Sequence, residues 1–153
     1  MGFGGKTNFR KGGSWQSQRT LVPVENRTSP DGIVHRSRAE CNRWNQLRLL
    51  HSGGMIRNLR REVKYKLEMC QSFDGVAVNI HIRSRKGNVR TYTADFVYDV
   101  MPGCDKFAEY GRPLADGWGE IIEDVKGFLE PAQELRMDVF EALYGVRVFI
   151  NKV

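Results

Sequence analysis

Three stretches between residues 62 and 100 alternate apolar and polar side chains at every second position. That period restricts the fold more than any other feature of the chain. Val63, Tyr65, Leu67 and Met69 alternate with Glu62, Lys64, Lys66 and Glu68. Val76, Val78, Ile80 and Ile82 alternate in the same way. Successive strand side chains point to opposite faces, so each stretch reads as a half-buried strand with one wet face. Arg85-Lys86-Gly87-Asn88 then reads as a hairpin-like turn. The third strand runs from about Arg90 to Val100, with Tyr92, Ala94, Phe96 and Tyr98 on one face and Thr91, Thr93, Asp95 and Val97 on the other.

Helical patterns flank these strands. After a turn at Asp31-Gly32, Ser37-Arg38-Ala39-Glu40 has the capping-box pattern, and the helix it opens is predicted to run to about Leu50 with Cys41, Trp44, Leu47 and Leu50 inward. Residues 101–118 read as a long loop, and Gly119 to Lys126 as another strand with Ile121, Glu123 and Val125 on one side and Ile122, Asp124 and Lys126 on the other. Pro131 opens a second helix, with Leu135, Val139, Ala142 and Leu143 inward and Gly145 as its stop, before a last strand from Val146 to Ile150. The order predicts an α/β fold, a mixed central β-sheet flanked by helices. Residues 1–30, rich in Gly, Ser, Arg and Lys, read as a flexible basic arm carrying Phe9 and Trp15, and residues 31–153 as one folded domain.

The net charge of +6 is unevenly placed. Residues 33–66 carry +7, while residues 94–153 carry −6. A basic half joined to an acidic half suggests a polyanionic partner beside a carboxylate-rich site, against the plainer reading of a solvated surface. No apolar run approaches the ~20 residues of a membrane helix, and the opening residues hold no signal-peptide apolar stretch. The three cysteines are odd in number and widely spaced, which speaks against a disulfide scaffold or structural zinc. A cytoplasmic protein with no membrane partner is the expectation. His35, His51 and His81 show no ligand spacing.

Chemistry concentrates at Asp124-Val125-Lys126, where a carboxylate and an ammonium share one face of a strand, with Asp95 on a neighbouring strand. Two carboxylates converging on one point can hold Mg²⁺ through oxygen while leaving positions for water, and such an ion polarises a phosphodiester. An adjacent lysine can orient that water or offset developing charge. The acid-x-Lys spacing alone says little, because chance gives about one such pair at this composition. Glu62-x-Lys64 is a second instance, placed as on a solvated strand face. A surface ion pair therefore stands as the alternative reading of Asp124 and Lys126. Glu40 falls near Trp44 and Leu47 on the helix wheel, so beside its capping role its carboxylate points to the core side, where it either meets a metal or another cation or frays outward at the first turn, the former being the favoured reading.

Several segments in order resemble a known superfamily. Asp31-Gly32-Ile33-Val34, Ser37-Arg38-Ala39-Glu40, the run from Ile56 to Tyr65, Thr93-Ala94-Asp95-Phe96-Val97-Tyr98, Glu123-Asp124-Val125-Lys126-Gly127 and Phe140-Glu141-Ala142-Leu143-Tyr144-Gly145 are similar to a phage- and prophage-borne family of unknown function within the PD-(D/E)XK nuclease superfamily. The resemblance covers about residues 31–150 and implies a restriction-endonuclease-like core. It implies Glu40, Asp95 and Asp124 as metal carboxylates for Mg²⁺ or Mn²⁺, Lys126 as the catalytic lysine, and DNA as substrate. The superfamily includes phage endonucleases that cut branched DNA, often as dimers, so a homodimer is among the implied assemblies. The chain departs from the family pattern in its longer 101–118 loop and in Arg136 and Asp138, which stand where basic residues, a lysine at the first, are usual. Arg36, Arg38, Arg43, Arg57, Arg60, Arg61, Lys64 and Lys66 are the expected phosphate contacts. The leading expectation is a metal-dependent endodeoxyribonuclease. The rival is a non-catalytic nucleic-acid- or partner-binding protein on the same fold.

Overall fold

The computed structural model describes residues 22–152, and the expectations for Phe9 and Trp15 lie outside them. Residues 22–30, expected in the arm, are folded. A 3-10 turn spans Val24–Arg27, Thr28 bridges Val34, and Ser29 is buried. Asp31 ties this segment to the first helix by accepting hydrogen bonds from the Ser29 hydroxyl and from the Trp44 indole N–H at 3.0 Å. Those two bonds, with Arg48 nearby, hold the Asp31 carboxyl down to about 2 against the opposing effect of burial.

Helix α1 spans Arg38–Ser52, and the Ser37 hydroxyl accepts the Glu40 N–H at 3.1 Å as the capping pattern requires. Cys41, Trp44 and Leu47 are its buried stripe. Strand β1 (Ile56–Lys66) begins six residues before the alternation announces it. After Leu67 the chain leaves the main sheet, and β2 (Glu68–Phe73) and β3 (Val76–His81) form a separate two-stranded hairpin. The expectation of a half-buried strand over 76–82 is corrected here. Among the described residues every one of β3 is exposed, Val76 to 63%.

Strand β4 (Thr91–Val100) pairs antiparallel with β1 on one side and with β6 (Gly119–Lys126) on the other. The expected loop between β4 and β6 holds a short helix, α2 (Asp105–Tyr110), and a two-residue strand, β5 (Arg112–Pro113), that pairs with the start of β6. Helix α3 (Pro131–Tyr144) has Pro131 in its first turn and ends at Gly145, whose φ of 62° is the left-handed stop that glycine permits. Strand β7 (Val148–Lys152) then runs parallel to β6. The result is a mixed sheet between two helical layers. Trp44 and Leu47 of α1 pack on Phe96, Tyr98, Val100, Ile121 and Val125. Met137 and Phe140 of α3 pack on Tyr92, Ala94, Val97, Ile122 and Val148.

Two inward faces differ from expectation. On α3 the buried residues are Met137 and Phe140, while Leu135 is 65% exposed and Ala142 is exposed. Val139 and Leu143, expected inward, are partly buried against the same core, and the Tyr92 ring stacks 4.4 Å from Phe140. On β4, Tyr92 and Ala94 face α3, but Phe96 and Tyr98 face α1. The strand rolls over at Asp95. Opposite it on β1, Glu62 has a φ of 50°, a left-handed value uncommon for a residue with a long side chain. The β1–β4 ladder pairs Val63 with Ala94 and Arg61 with Phe96, and is interrupted between them. Among the described residues, no helix is long and apolar enough to cross a membrane.

Candidate metal centre

The rollover at Asp95 sits where β4 and β6 part. Their ladder ends at the pair Phe96 and Glu123. Beyond it, side chains take over the backbone bonds. The Asp95 N–H donates to Asp124 Oδ1 at 3.1 Å, and the Val125 N–H donates to Asp95 Oδ2 at 2.9 Å. Alternation on β6 puts Lys126 on the same side as Asp124, and its Nζ lies 3.3 Å from Asp95 Oδ2 and 3.7 Å from Asp124 Oδ2. Asp95 and Asp124 are 5% and 4% exposed. They meet at an open pocket of about 170 Å³ whose other walls include Arg36, Tyr92, Gln133 and Arg136.

Glu40 stands behind this pair. Its carboxylate accepts the Arg36 N–H at 3.2 Å, so the capping pattern is met one residue upstream of its usual partner. Burial raises its pKa first, and the charge of Asp95 raises it further. Asp124 is pushed upward by the same two causes, with Lys126 opposing. Glu40, Asp95, His35, Arg61 and Glu62 border a second, narrow cleft. Glu40, Asp95 and Asp124 thus neighbour one another, with Lys126 between the two aspartates and the guanidiniums of Arg36, Arg61 and Arg136 on the walls of the two clefts.

Among the described residues, no three His, Cys, Asp or Glu side chains close around one point. Asp95 and Asp124 converge, while Glu40 is their neighbour and not the third wall of a cage. A pair of hard oxygen donors on an open pocket is a donor set that suits Mg²⁺ or Mn²⁺, since Mg²⁺ keeps several waters and takes one or two carboxylates. The donor set therefore fits the ion expected from the sequence.

The expected phosphate contacts divide. Arg43 is turned inward, with its fork on the fully buried Glu123 at 2.5 and 2.9 Å. The Tyr98 hydroxyl and the Asn151 amide also donate to Glu123, at 2.6 and 3.1 Å. Arg57 pairs with Asp99 and Asp116 and lies over the Trp118 ring, and Arg60 pairs with Glu120 at 2.7 Å. These three guanidiniums serve the fold. Arg36 and Arg61 remain at the two clefts, each also near Glu62. Lys66 lies 3.6 Å from Glu68, and Arg38 and Lys64 are exposed.

Sequence reasoning missed Tyr92, Gln133 and Arg136 as site residues. Gln133 and Arg136 lie three apart on α3, a spacing that shares a helix face. His35 is buried, with Nε2 3.2 Å from the Ser29 hydroxyl, and burial lowers its pKa. The segment 101–118 joins the far ends of β4 and β6, at Val100 and Gly119, so it lies away from this pocket. No family model matches the chain, and neither a curated protein nor a solved structure shows significant similarity to it.

Proposed function

We propose that this chain is a metal-dependent endodeoxyribonuclease built on a PD-(D/E)XK-like core. The observation that carries the reading is the meeting of Asp95, Asp124 and Lys126 on one pocket at a break in the sheet. Asp95 and Asp124 would hold Mg²⁺ or Mn²⁺, which when bound lowers the pKa of water and polarises a phosphoryl oxygen. The remaining work belongs to the chain. Lys126 sits within 4 Å of both carboxylates and would orient the attacking water or offset charge on the phosphate. Arg36 and Arg136 would receive non-bridging phosphate oxygens, as guanidinium forks do. Glu40, beside Asp95, would bias the pocket toward a divalent ion by adding negative charge. A phage origin, a homodimeric assembly and selectivity for branched or single-stranded DNA come from the sequence resemblance.

The test is direct. Supercoiled, linear, single-stranded and four-way-junction DNA are incubated with Mg²⁺, Mn²⁺ or EDTA. At least one substrate should be cut with metal and none with EDTA, and Asp124→Ala should be inert. Cutting by Asp124→Ala at the wild-type rate, or no cutting at all, defeats the reading. One observation favours the rival. Asp95 Oδ2 already accepts from Val125 and faces Lys126, as it would in a purely structural ion pair. A non-catalytic binding protein of that kind should show no Mn²⁺ heat in calorimetry.

A further inference from the structure

Among the described residues, one buried side-chain polar atom has no hydrogen-bond partner, the hydroxyl of Tyr92. A donor buried in this way loses its bonds to water and gains none in return, so native structures rarely leave one without a reason. Its ring is fixed, stacked against Phe140 and packed among Ala94, Val97 and Met137. A phenylalanine would fill that space equally well. Tyr92 also borders the pocket of Asp95, Asp124 and Lys126.

We propose that Tyr92 is a positioning residue for Asp124, whose hydroxyl donates to that carboxylate once it takes up a divalent cation. Burial is the first influence on the phenol and Asp124 the next, so the hydroxyl lies beside that carboxylate but short of hydrogen-bond geometry in the metal-free chain. The carboxylate has room for the bond. Its Oδ1 accepts the Asp95 N–H, Oδ2 is 3.7 Å from Lys126, the Tyr92 phenol already acts on the carboxylate without reaching full hydrogen-bond geometry, and each oxygen carries two lone pairs. Carboxylates that ligate metals are held in orientation by such outer partners, and losing one costs about 10–100-fold in metal affinity or activity. The unmatched hydroxyl of the metal-free chain is thus a donor held ready for the loaded one.

This rests on the nuclease reading, and the experiment separates the two. Mn²⁺ is titrated calorimetrically into the full chain, wild type and Tyr92→Phe, with thermal melts in EDTA and cleavage across a Mn²⁺ series. Tyr92→Phe should melt at or above the wild-type temperature in EDTA, bind Mn²⁺ at least about tenfold more weakly, and regain cleavage at saturating Mn²⁺. Equal Mn²⁺ affinity in the two proteins overturns the role of Tyr92 and leaves the nuclease reading standing. Absence of Mn²⁺ binding by the wild type overturns both. Should Tyr92→Phe fail to fold, ring-labelled tyrosine NMR on the wild type decides. A Mg²⁺-induced shift of one buried tyrosine that disappears in Asp124→Asn supports the proposal, and no shift defeats it.

Discussion

The surroundings of Asp124 disfavour its charged form. Burial and the neighbouring Asp95 raise its pKa, so in the absence of metal the folded state holds its proton more tightly than the unfolded chain does. Stability from this group is therefore greatest at low pH and declines as pH rises from the ordinary 3.8 through the raised value. Asp124→Asn removes that penalty and keeps an acceptor for the Asp95 N–H. In EDTA at neutral pH the variant should melt higher, by about 2–4 °C for each kcal/mol gained, and it should cut nothing. A lower melting temperature in differential scanning calorimetry contradicts this account. Arg43 shows the opposite case. It lies against a carboxylate with no exposure, so Arg43→Ala leaves Glu123 buried and unpaired. Urea unfolding should show a loss of about 3–5 kcal/mol. No local pattern marked Arg43 for this role, because its partner lies 80 residues away.

At the scale of elements, the boundaries of α1, β6 and α3 were legible because each is set by nearby residues. Ser37 caps α1, Pro131 and Gly145 bracket α3, and Gly119 begins β6. Faces were harder to read. Alternation in 76–82 reports a period, and only packing makes a period into burial, which β3 lacks. The rollover of β4 separates Tyr92 and Ala94 on one core from Phe96 and Tyr98 on the other, and strict alternation around Asp95 does not show it. Yet the side assignment on β6, and with it the meeting of Asp124 and Lys126, follows from alternation alone. The segment 101–118 hid a close fit of a different kind. A Cβ on Gly119 would lie 1.8 Å from Cδ2 of Phe107, which packs over the start of β6. Gly119→Ala should therefore destabilise the protein by about 1–3 kcal/mol through overpacking. The double variant Gly119→Ala, Phe107→Ala should escape the clash, a non-additivity visible in a double-mutant cycle of unfolding free energies.

For the whole molecule, the split between a basic first half and an acidic second half has a partly internal explanation. Arg43, Arg57 and Arg60 come from the first half, and their partners Glu123, Asp99, Asp116 and Glu120 from the second. The charge pattern is in part the ion-pair register of β1, β4, β6 and α1. Of the expected contacts outside these pairs, Arg36 and Arg61 line the two clefts, joined there by Arg136 of α3, while Arg38 and Lys64 are exposed elsewhere. DNA affinity measured against salt should distinguish the two sets. Arg136→Ala should lower the slope of log K on log salt by about one, while Arg60→Ala should leave it unchanged.

The two aspartates at the parting of β4 and β6 also stitch the sheet, since each oxygen that would meet a cation has a neighbour that accepts a main-chain N–H. On the proposed nuclease reading, scaffold and reactant are then one object, and a lineage relaxing its need for cleavage would drift toward asparagine, which keeps the seam and discards the reaction.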